Sequence, residues 1–170
     1  MCSQPPKKLD YDYFDIYEKA LLLTPENTNI GITGGEPTLH KKNLFKFILN
    51  IIKKRPDITF HVLSNAQHFK DTDVDDLYRM RDHVLWGIPL YSSMPEIHDK
   101  IVVKPKAFNK LLRNLNYLYL ASSRVELRTV ILRQNIYDLD KLSEFISNQL
   151  PCIEIWAIMQ LEQTGYATQH

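Results

Sequence analysis

Two hydrophobic periods alternate along this chain. Tyr13, Ile16, Tyr17, Ala20 and Leu21 recur at helical spacing between Leu9 and Leu23, with Asp10 placed to cap and Pro25 beyond the end, so the spacing predicts a helix there. Ile30 to Thr33 is β-prone and runs into a glycine pair. Leu44, Phe47, Ile48, Ile51 and Ile52 then predict a second helix that ends before Pro56. Ile58 to Asn65 reads as a buried strand, Thr72 to Met80 as a short helix and His83 to Tyr91 as another strand. A loop containing Pro95 and Pro105 leads to a long amphipathic helix marked by Phe108, Leu111, Leu112, Leu115, Leu118 and Tyr119. Arg124 to Leu132 is a strand, Asp138 to Gln149 a helix, and Cys152 to Gln160 the last strand.

Strands separated by helices of this length imply right-handed βαβ units and a parallel sheet, open or curled toward a barrel. The expected fold class is therefore α/β, in a single domain spanning residues 1–170. Only eight mostly polar residues of this chain stand before Leu9, and Pro5 and Pro6 are among them. The pattern reads as if it begins one strand late, which would leave the strand at Ile30 with an unpaired edge open to association.

Composition narrows the function classes. The chain has 170 residues, 44% of them hydrophobic and 24% charged, with a net charge of +1. Its basic residues look scattered along the sequence, so no surface field for nucleic acid is expected. No apolar run reaches the roughly 18 residues a membrane span needs and no signal-peptide pattern opens the chain, so a cytoplasmic protein with no membrane partner is expected. Two cysteines, Cys2 and Cys152, suit a reducing compartment. The six histidines show no spacing typical of zinc ligands.

The stretch Gly31-Ile32-Thr33-Gly34-Gly35-Glu36-Pro37 holds three of the five glycines, at the end of a predicted strand. Glycines there let the backbone turn sharply and let a ligand approach main-chain groups, and strand C-termini are where α/β proteins build sites. A tight strand-to-helix turn with a solvated glutamate uses the same residues, and both readings stand. Neither GxGxxG nor the phosphate-loop pattern GxxxxGK[ST] occurs.

Gly34-Gly35-Glu36-Pro37 after a strand resembles the GGEP motif of the radical S-adenosylmethionine (SAM) enzymes. That resemblance implies a partial, six-stranded TIM-like β/α barrel, with the motif after its second strand and its main chain holding the methionyl amino group of SAM. It further implies a 4Fe-4S cluster bound through CxxxCxxC, in which Cys2 stands where the third cysteine belongs. The first strand and most of the cluster loop would then be missing from this chain, which alone would be inactive. Ser64-Asn65 is similar to the Ser/Thr-Asn step near the SAM ribose, though it is also ordinary turn chemistry. The segment IPLYSSMPEIHDKIV resembles the family's fourth-strand segment, which implies that Ser92 and Ser93 face the methionyl carboxylate or ribose. There His98 and Asp99 read as residues that shape the loop and cap a helix.

In the predicted strand at Arg124, Glu126, Arg128 and Val130 share one face by alternation. Arg128 suits the SAM carboxylate, and a structural pairing with Glu126 suits it equally. Ala157 to Gly165 resembles the edge that contacts adenine, with Met159 and Leu161 beside the ring, although such residues also serve as core. Cys152 reads as a small buried residue.

By this resemblance the expected activity is reductive cleavage of SAM to a 5′-deoxyadenosyl radical that takes hydrogen from a substrate, with an electron donor as partner. Met1-Cys2-Ser3-Gln4-Pro5-Pro6 resembles the cluster loop of maturases that act with His-Xaa-Ser repeat peptides, which implies a peptide or protein substrate. Two further readings remain open: a β/α domain without a cluster that binds a small metabolite or protein partner, and an aldolase-type barrel. No lysine falls within the predicted strands, which places the aldolase reading last.

Overall fold

The computed structural model describes residues 14–161. Helix α1 (Phe14–Leu21) precedes strand β1 (Asn29–Ile32), and α2 (Lys41–Lys54) carries the chain to β2 (Thr59–Leu63). Short α3 (Val74–Arg79) precedes β3 (Val84–Pro89), then α4 (Pro95–Val102) and α5 (Ala107–Leu120) lead to β4 (Arg124–Val130), and α6 (Leu139–Gln149) leads to β5 (Ile153–Met159). All strand pairings are parallel, in the order β1-β2-β3-β4-β5, so each strand lies beside its neighbour in sequence. This is an open α/β sheet of the kind a partial barrel contains.

The two-residue period of the strands divides their side chains between two environments. Phe60, Val62, Val84, Trp86, Ile88, Val125 and Leu127 are fully buried and join Leu44, Ile48, Ile51, Leu111, Leu115, Leu118 and Leu142 from the helices in one hydrophobic cluster. Trp86 is at its centre, with Phe69 edge-on at 5.1 Å and 85°, a geometry worth about 1 kcal/mol beyond the area it buries. The intervening positions include most of the strands' polar and small residues: the register sets Gly31 beside His61, Leu63 beside Gly87, Gly87 beside Glu126 and Arg128 beside Ala157.

Two local readings are corrected. The expected loop around Pro95 contains α4, because proline occupies its first turn, where the missing N–H costs nothing. Its end is a left-handed Val103 (φ 54°), which no glycine or asparagine announces. The expected helix from Thr72 opens instead as a 3-10 turn (Asp71–Asp73) before α3. Residues of the first predicted helix before Phe14, together with Cys2, lie outside the described residues.

Candidate functional site

The C-terminal ends of β1 to β4 form one rim, and most of the expected site residues stand on it. Gly34 and Gly35 follow β1 with φ of +90° and +49°, values that side chains strongly disfavour. Both are exposed, and among the described residues their amides bond to no other group. Glu36 turns the opposite way. Its Oε1 accepts from the Thr38 amide at 3.0 Å, from the Thr38 hydroxyl and from Ser64 Oγ at 2.7 Å, while Oε2 accepts from the Asn65 amide at 2.7 Å. The carboxylate thereby caps the 3-10 turn (Pro37–His40) and ties the end of β1 to the end of β2.

Ser64 is buried, and its hydroxyl also accepts from the Ala66 amide at 3.0 Å. Asn65 is exposed; its carbonyl oxygen accepts from the Gln67 amide, leaving its NH₂ group outward. Ser92, also buried, donates to Asp138 and accepts from the Met94 amide. Asp138 further accepts from the Ser93 amide at 2.8 Å and the Ser93 hydroxyl at 3.0 Å. Sequence reasoning missed Asp138, whose partners lie 45 and 46 positions away. Asn135 joins the same rim by donating to the Tyr91 and Val130 carbonyls at 2.9 and 3.0 Å. Asp99 caps α5 by accepting from Phe108 N at 2.8 Å, and buried His98 accepts from the Tyr91 amide at 3.3 Å, so both shape the loop as expected.

Below the rim, on the polar face of the sheet, Arg128 donates to Glu126 at 2.7 Å and to the Met159 sulfur at 3.1 Å. The second Glu126 oxygen lies 3.2 Å from His61 Nε2, although that nitrogen is not aligned for a hydrogen bond. A glutamate this deeply buried needs such neighbours. Gly87 makes the cluster possible, since a Cβ there would fall 2.8 Å from His61 Nε2, 2.5 Å from Leu63 Cδ2 and 3.3 Å from Arg128 Cδ. His61 was legible in principle: strand alternation puts it on the same face as Gly87 and Glu126. Leu161 is exposed just past β5.

Desolvation sets the acid-base character. Burial pushes the His98 imidazole down to about 4, so it is neutral at pH 7. Burial lowers His68 as well, with Lys110, Lys104 and Lys41 adding to the effect and Glu36 opposing it. Burial raises the Tyr91 phenol and the Cys152 thiol. Cys152, expected to be buried, is only half-buried; it lies at the N-terminal end of β5, away from the rim, and so takes no part in a site built there. Among the described residues no group of His, Cys, Asp and Glu is placed to hold a metal ion, and no helix is long and apolar enough to cross a membrane. The groups left open for a small polar ligand are the Gly34 and Gly35 main chain, the Asn65 NH₂ and the Arg128 guanidinium. That set of donors and main-chain carbonyls fits the carboxylate, hydroxyls and amino group of an amino-acid nucleoside such as SAM.

Comparison with known proteins points the same way. The family model of the radical SAM superfamily matches residues 4–146. The chain is 26% identical over 151 residues to the cysteine-type anaerobic sulfatase-maturating enzyme of Clostridium novyi, covering 82% of this chain and 40% of that protein. It is 29% identical over 156 residues to GTP 3′,8-cyclase of Nautilia profundicola, covering 89% and 47%. Among solved structures, SuiB of Streptococcus suis bound to its precursor peptide SuiA superposes with a TM-score of 0.75 at 14% identity, over 95% of this chain and 36% of that one. The structure of anSMEcpe with bound AdoMet and the Kp18Cys peptide gives 0.71 at 14% identity, over 86% and 41%. The chain spans less than half the length of each of these relatives.

Proposed function

Because the chain belongs to the radical SAM superfamily, whose members are enzymes that use a 4Fe-4S cluster and SAM, we propose that its 170 residues are one core domain of a longer peptide-modifying enzyme. When bound, that pair of cofactors supplies a 5′-deoxyadenosyl radical able to remove hydrogen from an unactivated carbon. The residues of this chain serve to bind, orient and shield.

In this reading the main-chain carbonyls of the Gly34-Gly35 turn accept from the methionyl amino group, and Pro37 stiffens the exit from the turn. Arg128 meets the methionyl carboxylate, and the Asn65 NH₂ meets the ribose. Glu36, Ser64 and Ser92 act one layer behind, each spending its hydrogen bonds on holding the rim in shape. Met159 and Leu161 flank the adenine, and Cys2 is one of three thiolate ligands. The observation that carries the reading is the Glu36 carboxylate clasping Thr38, Ser64 and Asn65, which leaves the two glycines facing outward. A peptide substrate is supported by the relatives seen with peptides, the Kp18Cys peptide in one case and SuiA in the other, and an external electron donor must supply the reducing electron.

The test is anaerobic reconstitution with iron and sulfide of the protein carrying its upstream sequence, followed by absorbance and low-temperature EPR with and without SAM. A cluster whose spectrum changes on adding SAM is the expected result. An upstream sequence without two further cysteines at CxxxCxxC spacing, or a cluster indifferent to SAM, refutes the proposal.

A further inference from the structure

Between the loop after β2 and the start of α5 lies a cavity of about 300 Å³ lined by Gln67, Lys104, Lys106, Lys110, Arg113 and their neighbours. Four of its lining residues are cations and none is an acid. None of the four enters an ion pair among the described residues, whereas Lys41, Lys54, Arg55 and Arg124 all do. Such a concentration of unneutralised charge raises the local concentration of anions.

The second observation is Gln67. It is 6% exposed, its Nε2 donates to the Ala107 carbonyl at 3.2 Å, and its Oε1 has no partner. A buried amide oxygen without a donor is costly, and such groups ordinarily have a partner when the protein is at work. This oxygen accepts, so the missing partner carries an N–H or O–H.

These two demands select among anions. A compact dianion such as phosphate gains most from free amides at a helix N-terminus, but Asp99 already occupies the Lys106 and Phe108 amides. Lys106, Lys110 and Arg113 instead recur along one side of the α5 entry, spread over about 10 Å at 1.5 Å per residue. Carboxylates on alternate residues of an extended peptide are about 7 Å apart, and the same peptide brings main-chain N–H groups between them.

We infer that this cavity binds an acidic stretch of a polypeptide, with its carboxylates on Lys104, Lys106, Lys110 and Arg113 and one main-chain N–H on Gln67 Oε1. The inference rests on the reading of a peptide substrate and gives it a charge. Gln67 lines the cavity and its amide donates to Asn65 Oδ1 at 2.9 Å, so a peptide anchored there lies near the rim. Two of the four, Lys104 and Lys110, also contribute to the downward push on His68.

Fluorescence anisotropy of a labelled Glu-Ser repeat decapeptide tests it, with a Lys-Ser repeat decapeptide and inorganic phosphate as comparators and no SAM present. The expected result is saturable binding of the acidic peptide that weakens with salt, about tenfold or more weaker in the Lys106→Glu, Lys110→Glu double variant and several-fold weaker in Gln67→Leu, with unchanged far-UV circular dichroism in both. Equal binding of the two peptides, no change in the double variant, or displacement by phosphate at the peptide's own concentration each overturns it. Since the assay contains no SAM, loss of SAM binding in the reconstitution experiment leaves its outcome unaffected, and the two failures are distinguishable.

Discussion

Replacing Glu36 by glutamine tests whether the glutamate of the Gly-Gly-Glu-Pro segment is a clasp or a solvated side chain. In the native protein its carboxylate accepts four bonds, two from main-chain amides and two from hydroxyls. A glutamine can keep its oxygen toward Thr38 and Ser64, but its NH₂ group then faces the Asn65 amide, donor against donor. One bond is lost outright and three fall from charge-assisted to neutral strength. With charge-assisted bonds worth about 1.5–3 kcal/mol and neutral ones about 0.5–1.5, and with the site half-buried, the expected loss is about 3 kcal/mol. Urea unfolding followed by circular dichroism at pH 7 reads it directly. At a slope of about 2 kcal/mol per molar the midpoint falls by about 1.5 M with the slope unchanged. On the proposed role of the Gly34-Gly35 turn in holding SAM, SAM affinity falls as well, because the turn loses its anchor. A variant within about 0.5 kcal/mol of the parent, the range of ordinary surface substitutions, refutes the clasp.

Two further outcomes are expected. His98 is held neutral down to about pH 4 against an ordinary 6.5, so as the pH falls from 6.5 to 4 the unfolded chain takes a proton that the folded chain refuses. Stability conferred by the neutral imidazole is full above 6.5 and lost on acidification, at about 1.4 kcal/mol per pH unit and about 3 kcal/mol in all. Denaturation midpoints across that window show a shallower slope in His98→Gln, and parallel slopes in the two proteins disprove the assignment. Gly87→Ala forces Leu63, His61 and Arg128 apart, at a cost of about 1–3 kcal/mol; a fully stable variant in thermal melts contradicts the close approach.

Much of the fold was legible because the strands and helices here keep their hydrophobic periods cleanly. Phe60, Val62, Trp86 and Leu127 announce a sheet face, and Leu111, Leu115 and Leu118 a helix that covers it. Helix α4 escaped notice because Pro95 reads as a breaker unless its position in the first turn is known. The site divides along the same line. Gly34 and Gly35 are visible as a local cluster, but the work of Glu36 depends on Ser64 and Asn65, 28 and 29 positions away, and no local pattern encodes such a pairing. The equal readings of Arg128 resolve partly: it pairs with Glu126 and keeps a share of exposure. Basic residues that look scattered in sequence converge once α4 and α5 bring Lys104 to Arg113 around one cavity.

The strictly sequential strand order bears on how the molecule assembles. Each new strand docks on the one made just before it, after a crossover of roughly twenty to thirty-five residues. Since the entropy of closing a loop grows only with the logarithm of its length, no single closure dominates the search. A nascent chain can therefore lay down its β-α units one after another as they emerge from the ribosome. The clasp from Glu36 to Asn65 closes with the second strand, so the rim starts to take shape before the rest of the sheet exists.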